Sequence, residues 1–545
     1  MKTSFFEKPF MKTKIKKDKV TLFPEAGLGY LLGPILALIS NGVVNVWLIQ
    51  YWDKVLMLGQ WAPLFETLLP ILSAVIIIIG NLFVGRLMEK KPTMAGKARP
   101  LILIGMPIIA VALLALFLVP LPEGATWKGG SGTTPNFWAS VVIAVAYNLY
   151  YALAWPLYYT SHSALVNLST RDEKKRGLLS TCIMAAQLGA AGLSGMAGGI
   201  LVDKIGLLPT YSYFIPDDKL GKIEKITNDL SVAMKGVADN PLLNPSDGIP
   251  SSVITPDQAN SKWVILMIIM VVCLVIGCLL EYFFTRERIT EEIVAKNQNA
   301  GETEAKSVSM KEQINVCVKD KYWWLIIVFF FLYQFGGQMK NNDMSFYSIA
   351  MSGGNTLSSI INTVGAIPTA LGMAIVWPLA NKFSKSKTII MGCALAFLGG
   401  SLAFVALIPA IQANSAAVSG ISVASFCIKA LGTAPAMYIS LALLANVLDH
   451  QEAKYGIRTD GFTMAVYGSI MVCMAGVCNG IIAGINSAVP AASKPLVHTI
   501  LGFGVESVAY LIMGIMFIWM NVEKYTKEDK AILEAQKEPK PEANN

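Results

Sequence analysis

Between Asn446 and Gly461 the chain reads NVLDHQEAKYGIRTDG, which sets Asp449, Glu452, Arg458 and Asp460 in a fixed register between two long apolar runs. Two other segments carry complementary charge: Arg86 with Gly96-Lys97-Ala98-Arg99-Pro100, and Ser169-Thr-Arg-Asp172-Glu-Lys-Lys-Arg176-Gly. Carboxylates and cations on separate loops can close and release an ion-paired rim, and such contacts bias a two-state conformational equilibrium. In this reading Arg86, Lys97 and Arg99 supply the positive side and Asp449, Glu452 and Asp460 the negative side. The alternative is a solvated charged face. A second set of residues suits a ligand. Tyr150, Tyr151, Trp155 and Tyr158 crowd one apolar run, and Asn45, Asn148, Gln187, Gln334, Asn362 and Asn479 lie in others. Aromatic faces fit the C–H side of a ring and amides exchange hydrogen bonds with hydroxyls, although both types also pack helices together. Lys429 sits mid-run, where an ionisable group costs about 2.5–3.5 kcal/mol in a membrane. It is either half of a structural pair with Glu506 or a cavity charge for an anionic or hydroxyl-rich ligand. No phosphate-binding glycine loop, Ser-His-Asp order or metal-ligand spacing occurs, and the three histidines are scattered. The residues therefore read as neither an enzyme nor a cofactor or metal protein.

The elements that position these residues are membrane spans. Hydrophobic residues make up 54% of the 545 and charged residues 15%, whereas soluble domains carry roughly 25% charged residues. A span needs roughly 20 apolar residues. Runs of that kind occur near 26–51, 62–88, 99–121, 137–163, 178–202, 262–284, 322–347, 355–382, 388–411, 418–447, 461–487 and 497–521, about twelve helices in all. The expected fold is all-α and polytopic, with two six-helix halves at 26–285 and 322–521, a polar linker at 286–321, and tails at 1–25 and 522–545. Lysine and arginine concentrate in alternate loops and in the first tail, at Lys12, Lys14, Lys16, Lys17 and Lys19. That bias predicts a multi-pass protein of the inner (cell) membrane with both termini cytoplasmic. The net charge of +8 then follows from basic loops facing the lipid bilayer, and no nucleic-acid-reading motif is present. The first twenty residues lack the apolar core of a signal peptide. The eight cysteines fall in predicted spans or the inner linker, which argues against a structural disulfide.

The loop at 205–261 is the longest expected on the outer side. Leu220, Ile223, Ile226, Leu230, Met234 and Val237 recur at helical spacing within it, which predicts an amphipathic helix, either a cap on the outer mouth or a packed insertion.

These loops, taken with Tyr147-Asn-Leu-Tyr-Tyr-Ala-Leu-Ala-Trp-Pro156-Leu-Tyr-Tyr, resemble the signature segments of the glycoside-pentoside-hexuronide symporters, a branch of the major facilitator superfamily that includes the melibiose and glucuronide carriers. The resemblance implies a secondary transporter of a small-molecule sugar or glycoside working by alternating access. On the fold it implies, Tyr150, Tyr151, Trp155 and Tyr158 face the substrate cavity, and the residues' own chemistry adds Gln187 and Lys429 as substrate candidates. For gating it implies Arg86, Lys97, Arg99, Asp172, Arg176, Asp449, Glu452 and Arg458. Relatives that couple sugar to sodium or protons carry paired carboxylates on the second helix, and those positions fall near Ser73 and Ile77 here. The fourth-helix aspartate falls on Ala154, the fifth-helix arginine near Ile183, the eleventh-helix lysine near Val472 and the first-helix aspartate on Tyr30. A cation site without carboxylates lacks its main attraction. The expectation is a facilitator, an exchanger or a carrier of altered coupling, and the coupling cation stays open. Two other readings remain: a lipid or organic-anion carrier on the same fold, and a non-transporting receptor or scaffold.

Overall fold

The apolar runs fold as helices because, in hydrocarbon, only a helix satisfies every backbone group within one segment. The computed structural model describes residues 6, 8–17, 19–56, 64–90, 92–119, 137–201, 205–217, 221–227, 251–299, 308–352 and 356–535. In the first six-helix set, a π-helical lead Leu22–Leu32 runs into α1 (Gly33–Gln50), followed by α2 (Leu69–Lys90) and α3 (Arg99–Phe117). Next, α4 joins Phe137–Asn148, a π-helical stretch Leu149–Ala154 and Trp155–Ser169; α5 (Glu173–Leu201) and α6 (Pro256–Phe284) complete the set. Two amphipathic helices, α7 (Arg288–Asn299) and α8 (Met310–Lys319), lie in the linker. The second set comprises α9 (Lys321–Ser352), α10 (Thr356–Phe383), α11 (Lys385–Ser401), α12 (Ser415–Tyr455), α13 (Asp460–Ala488) and α14 (Val505–Phe517), and a short amphipathic α15 (Thr526–Ala535) follows.

Eleven helices among the described residues are long and apolar enough to cross a membrane. The expected run at 355–382 is helical too, as α10. Helix α12 is continuous through Pro435 and stops at Gly456, whose φ of 70° is open to glycine without a Cβ penalty. Within each set, α1 packs on α5 and α6, and α12 packs on α10 and α11. Between the sets, α2 lies along α13. That seam is close because Gly85 faces the Gly461 carbonyl and Ala465, where a Cβ would collide. Small residues let helix backbones approach where lipid gives no hydrophobic drive.

The outer loop departs from its expected helix. Thr210–Asp217 (β1), Gly221–Thr227 (β2) and Ser251–Ile254 (β3) form an antiparallel sheet in the order β2-β1-β3. Ile223 and Ile226 fall in β2, facing Ile215 and Ser212 of β1, while Leu220, Leu230, Met234 and Val237 lie outside the described residues. The partner strand explains the difference, since Thr210-Tyr-Ser-Tyr-Phe-Ile is rich in β-formers and offers a ladder that a local period cannot foresee.

Candidate functional site

At the end of the bundle that carries the basic loops, the two helix sets are clasped by ion pairs. Asp449, in the last turns of α12, accepts from Arg176 Nη2 (2.7 Å), Arg171 Nη1 (3.3 Å) and Arg458 Nη1. Glu452, one turn on, takes Arg171 Nη2 (3.1 Å) and Arg458 Nη1 (3.1 Å). Arg171 and Arg176 belong to the first set, so this cluster spans the interface. Arg458 also holds Asp460 through Nε (2.9 Å) and donates from Nη2 to the Asn167 carbonyl of α4 (3.0 Å). A second bridge joins Lys97 Nζ to Glu89 (2.8 Å) and to Asp460 (3.0 Å). The amide of Gly461 donates to the same Glu89 carboxylate (2.9 Å). Glu173, at the start of α5, is held by Lys385 Nζ and Asn446 Nδ2, both at 3.0 Å.

Electrostatics outside the spans agree with this clasp. Burial presses the Lys97 ammonium toward neutrality, but Asp460 and Glu89 outweigh it and hold its pKa above the ordinary lysine value. The same competition, with Asp460, Asp449 and Glu452 prevailing over burial, raises Arg458. Partly buried charges of this kind are screened less than surface pairs.

Above the clasp lies an aromatic floor. From α4, Tyr150 stacks on Trp155 (5.9 Å between centroids), Trp155 on Tyr159 (6.0 Å), and Tyr159 on Tyr467 of α13 (6.3 Å, 4° between planes). Asn41 Nδ2 donates to the Tyr150 hydroxyl (3.2 Å), and Tyr151 donates to Asn45 Oδ1 (2.7 Å). Gln187, on α5, keeps a buried Nε2 without a partner.

A family model described as MFS/sugar transport protein matches residues 29–522. The chain belongs to this family of MFS transporters. No curated protein sequence matches it. Among solved structures, the proton:xylose symporter XylE bound to 6-bromo-6-deoxy-D-glucose is similar at TM-score 0.57 and 11% identity, with 92% of this chain and 96% of that chain covered. A bacterial homologue of the iron transporter ferroportin in its outward-facing state gives 0.56 and 14%, covering 90% and 98%. The E. coli fucose:proton symporter FucP gives 0.52 and 13%, covering 91% and 98%. At these identities the likeness carries the fold.

The transporter brings Lys97, Arg176, Asp449, Glu452 and Arg458 together, and it places three other expected rim residues elsewhere. Arg99 is buried within the first set, where its guanidinium donates to the Tyr282 carbonyl (Nε 3.0 Å, Nη2 2.7 Å) and to the Ala95 carbonyl (2.9 Å). Arg86 is exposed, and no rim bond is formed by it among the described residues. Asp172 caps α5, accepting from the amides of Lys174 (3.0 Å) and Lys175 (3.2 Å). Of the ligand candidates, Tyr158 keeps its ring against Trp155 (5.7 Å between centroids), but its hydroxyl donates to Glu281 of α6 (2.9 Å), which also meets His162 Nδ1 (2.6 Å). Tyr150 and Trp155 are buried, and Tyr151 and Gln187 are partly exposed. Lys429 is 2% exposed and paired with Glu506, with its ammonium over Phe503 (4.7 Å). Of the six amides, Asn362 has a side chain outside the described set.

Sequence reasoning missed Arg171, Glu89, Glu173 and Glu281. Arg171 and Glu173 stood inside a quoted loop. Glu89 closes the second run, where an acid in a basic loop is itself a signal of a local partner. Glu281 lay at the end of an apolar run with no local clue, since its partners are 119 and 123 residues away.

Proposed function

We propose that this transporter carries a sugar or glycoside by alternating access between the six-helix sets at 26–285 and 322–521, within the glycoside-pentoside-hexuronide branch. The observation that carries the reading is the clasp of Asp449 and Glu452 with Arg171, Arg176 and Arg458. It joins the two sets at one end through contacts that water can replace, as a closing and reopening gate requires. Sugar specificity is supported by the family's description and by the Tyr151–Asn45 and Tyr150–Asn41 wall, with Gln187 Nε2 as a spare donor. Without carboxylates at Ser73, Ile77 and Ala154, transport runs as exchange, as facilitated flux or with altered coupling. The gating set is Arg171, Arg176 and Arg458 with Asp449 and Glu452, while Lys97 and Glu89 with Asp460 fasten the α2–α13 seam beside it. The lipid bilayer of the inner membrane is its setting, with both termini cytoplasmic.

Counterflow tests this without an ion gradient. Proteoliposomes loaded with unlabelled monosaccharides or glycosides should take up the labelled sugar, and Tyr151→Phe should raise the half-saturating concentration severalfold. A panel with no exchange of any sugar overturns the reading. A second reading, an organic-anion carrier, has one observation in its favour. Lys340 and Lys429 flank the Phe426 ring at 5.1 and 5.3 Å, two ammonium groups against the Glu506 carboxylate. Exchange of labelled organic anions in place of sugars would select it.

A further inference from the structure

Residues 8–17 and Lys19 lie as a strap across the foot of α6 at the basic end of the bundle. Met11 and Ile15 face the protein, 7% and 3% exposed. Its backbone is bonded along most of its length. Lys14 N donates to the Phe283 carbonyl (2.9 Å), Thr13 Oγ1 to the Thr285 carbonyl (2.7 Å) and Tyr282 Oη to the Met11 carbonyl (3.1 Å). Arg286 Nη1 donates to the Ile15 carbonyl (2.6 Å), and Arg288 donates to the carbonyls of Lys16 (3.1 Å), Lys17 (3.0 Å) and Lys19 (3.0 Å).

With the backbone, Met11 and Ile15 turned inward, Lys12, Lys14, Lys16, Lys17 and Lys19 stand exposed. None of the five forms a salt bridge among the described residues. The nearest following acid, Glu25, is taken by Arg288 at 2.7 and 2.9 Å, and Asp18 is the one acidic residue between 8 and 24. The strap also lies on the perimeter of the bundle. Helix α6 above it shows a lipid-facing row, with Ile265, Ile268, Ile269, Val272 and Ile276 47–59% exposed. Past the strap the chain presents Leu22 and Phe23, 73% and 74% exposed, at the start of the first span. The lysines therefore stand where the apolar flank ends, at headgroup depth.

We propose that this strap is a docking surface for anionic phospholipid headgroups, with the five ammonium groups on the phosphates and Leu22 and Phe23 set among the acyl chains. Folding the strap onto α6 in advance spares lipid binding the cost of ordering it, which separates this surface from a loose basic tail.

The full-length protein in neutral detergent, titrated with phosphatidylglycerol and followed by thermal melting, tests the proposal. Phosphatidylglycerol should raise the melting temperature saturably, and phosphatidylcholine and inorganic phosphate should not. In the variant Lys12→Gln, Lys14→Gln, Lys16→Gln, Lys17→Gln, Lys19→Gln the half-saturating lipid concentration should rise by about tenfold or more. An unchanged lipid response in that variant overturns the assignment. A response to inorganic phosphate equal to that of the lipid overturns the membrane as its source. If the variant does not fold, high salt on the unaltered protein replaces it: loss of the phosphatidylglycerol response supports the proposal, and a salt-insensitive response overturns it.

Discussion

Asp449 receives three arginines from two sides of the interface, and the consequences of removing it differ from those of removing Arg99, a residue of similar sequence prominence. Asp449→Asn leaves the guanidiniums of Arg171, Arg176 and Arg458 crowded against one another. With the Asp449 side chain 15% exposed, water relieves part of the cost. The expected effect is about 2 kcal/mol against the closed clasp, roughly thirtyfold in the ratio of closed to open molecules. Spin labels at Asp172 and Lys454 should report a longer distance, and an unchanged distribution would argue that the cluster is a static face. Arg99→Gln breaks bonds to the Tyr282 and Ala95 carbonyls inside one helix set, so it should lower the melting temperature, by about 1–3 kcal/mol of stability, and leave the label distance alone. Sequence reading grouped the two because both are charges in loops beside spans. What separates them is which carbonyl or carboxylate stands opposite, and that is set by helices far off in the chain. The Tyr158 hydroxyl was hidden from sequence reading in the same way, since its partner Glu281 stands on α6, 123 residues away.

Helices were legible and their ends less so: the run expected to close at 447 continues as α12 to Tyr455, which carries Asp449 and Glu452 on the helix. Apolar length alone marks a span, and short signals such as Gly456 after α12 or the Ser309–Glu312 capping box of α8 mark where a helix stops or starts. The outer sheet was not legible, because strand pairing depends on a partner and local spacing favoured a helix over 220–237. At this scale Asp172 acts as the cap of α5 and serves a different purpose from the clasp beside it. Burial presses its pKa upward, but the amides and ammonium of Lys175 prevail and lower it below the ordinary aspartate value. Its contribution to stability is therefore present above the unfolded-state pKa and is lost as pH falls through the depressed value. Asp172→Ala should cost about 0.5–1 kcal/mol at neutral pH, low in the range for a cap because the side chain is exposed. The melting difference from the parent should shrink below about pH 4. A difference that persists in acid would place the effect outside the carboxylate.

Across the whole molecule, the two helix sets make unequal contact. Near the basic end, α5 meets α10 where Trp377 closes over Gly177, and Ser180 Oγ donates to the Tyr438 carbonyl of α12 (3.1 Å). On the other flank, α2 and α13 touch over their length, from Gly85 against Gly461 at the basic end to Pro70 against Gly476 toward the outer end. The two-set fold and the existence of a charged clasp could be read from the chain. The asymmetry could not, because it rests on glycines whose neighbours are hundreds of residues away.

The glycine-lined contact of α2 with α13 works like the spine of a book. Backbones already touching at both extremities cannot be drawn apart there without exposing peptide groups, so the covers must swing about that line while the free edge, at α5 and α10, sweeps the larger arc. Paired probes across the spine should hold their separation through the transport cycle while pairs across the free edge change, and equal excursions on both flanks would mean the covers slide instead of turning.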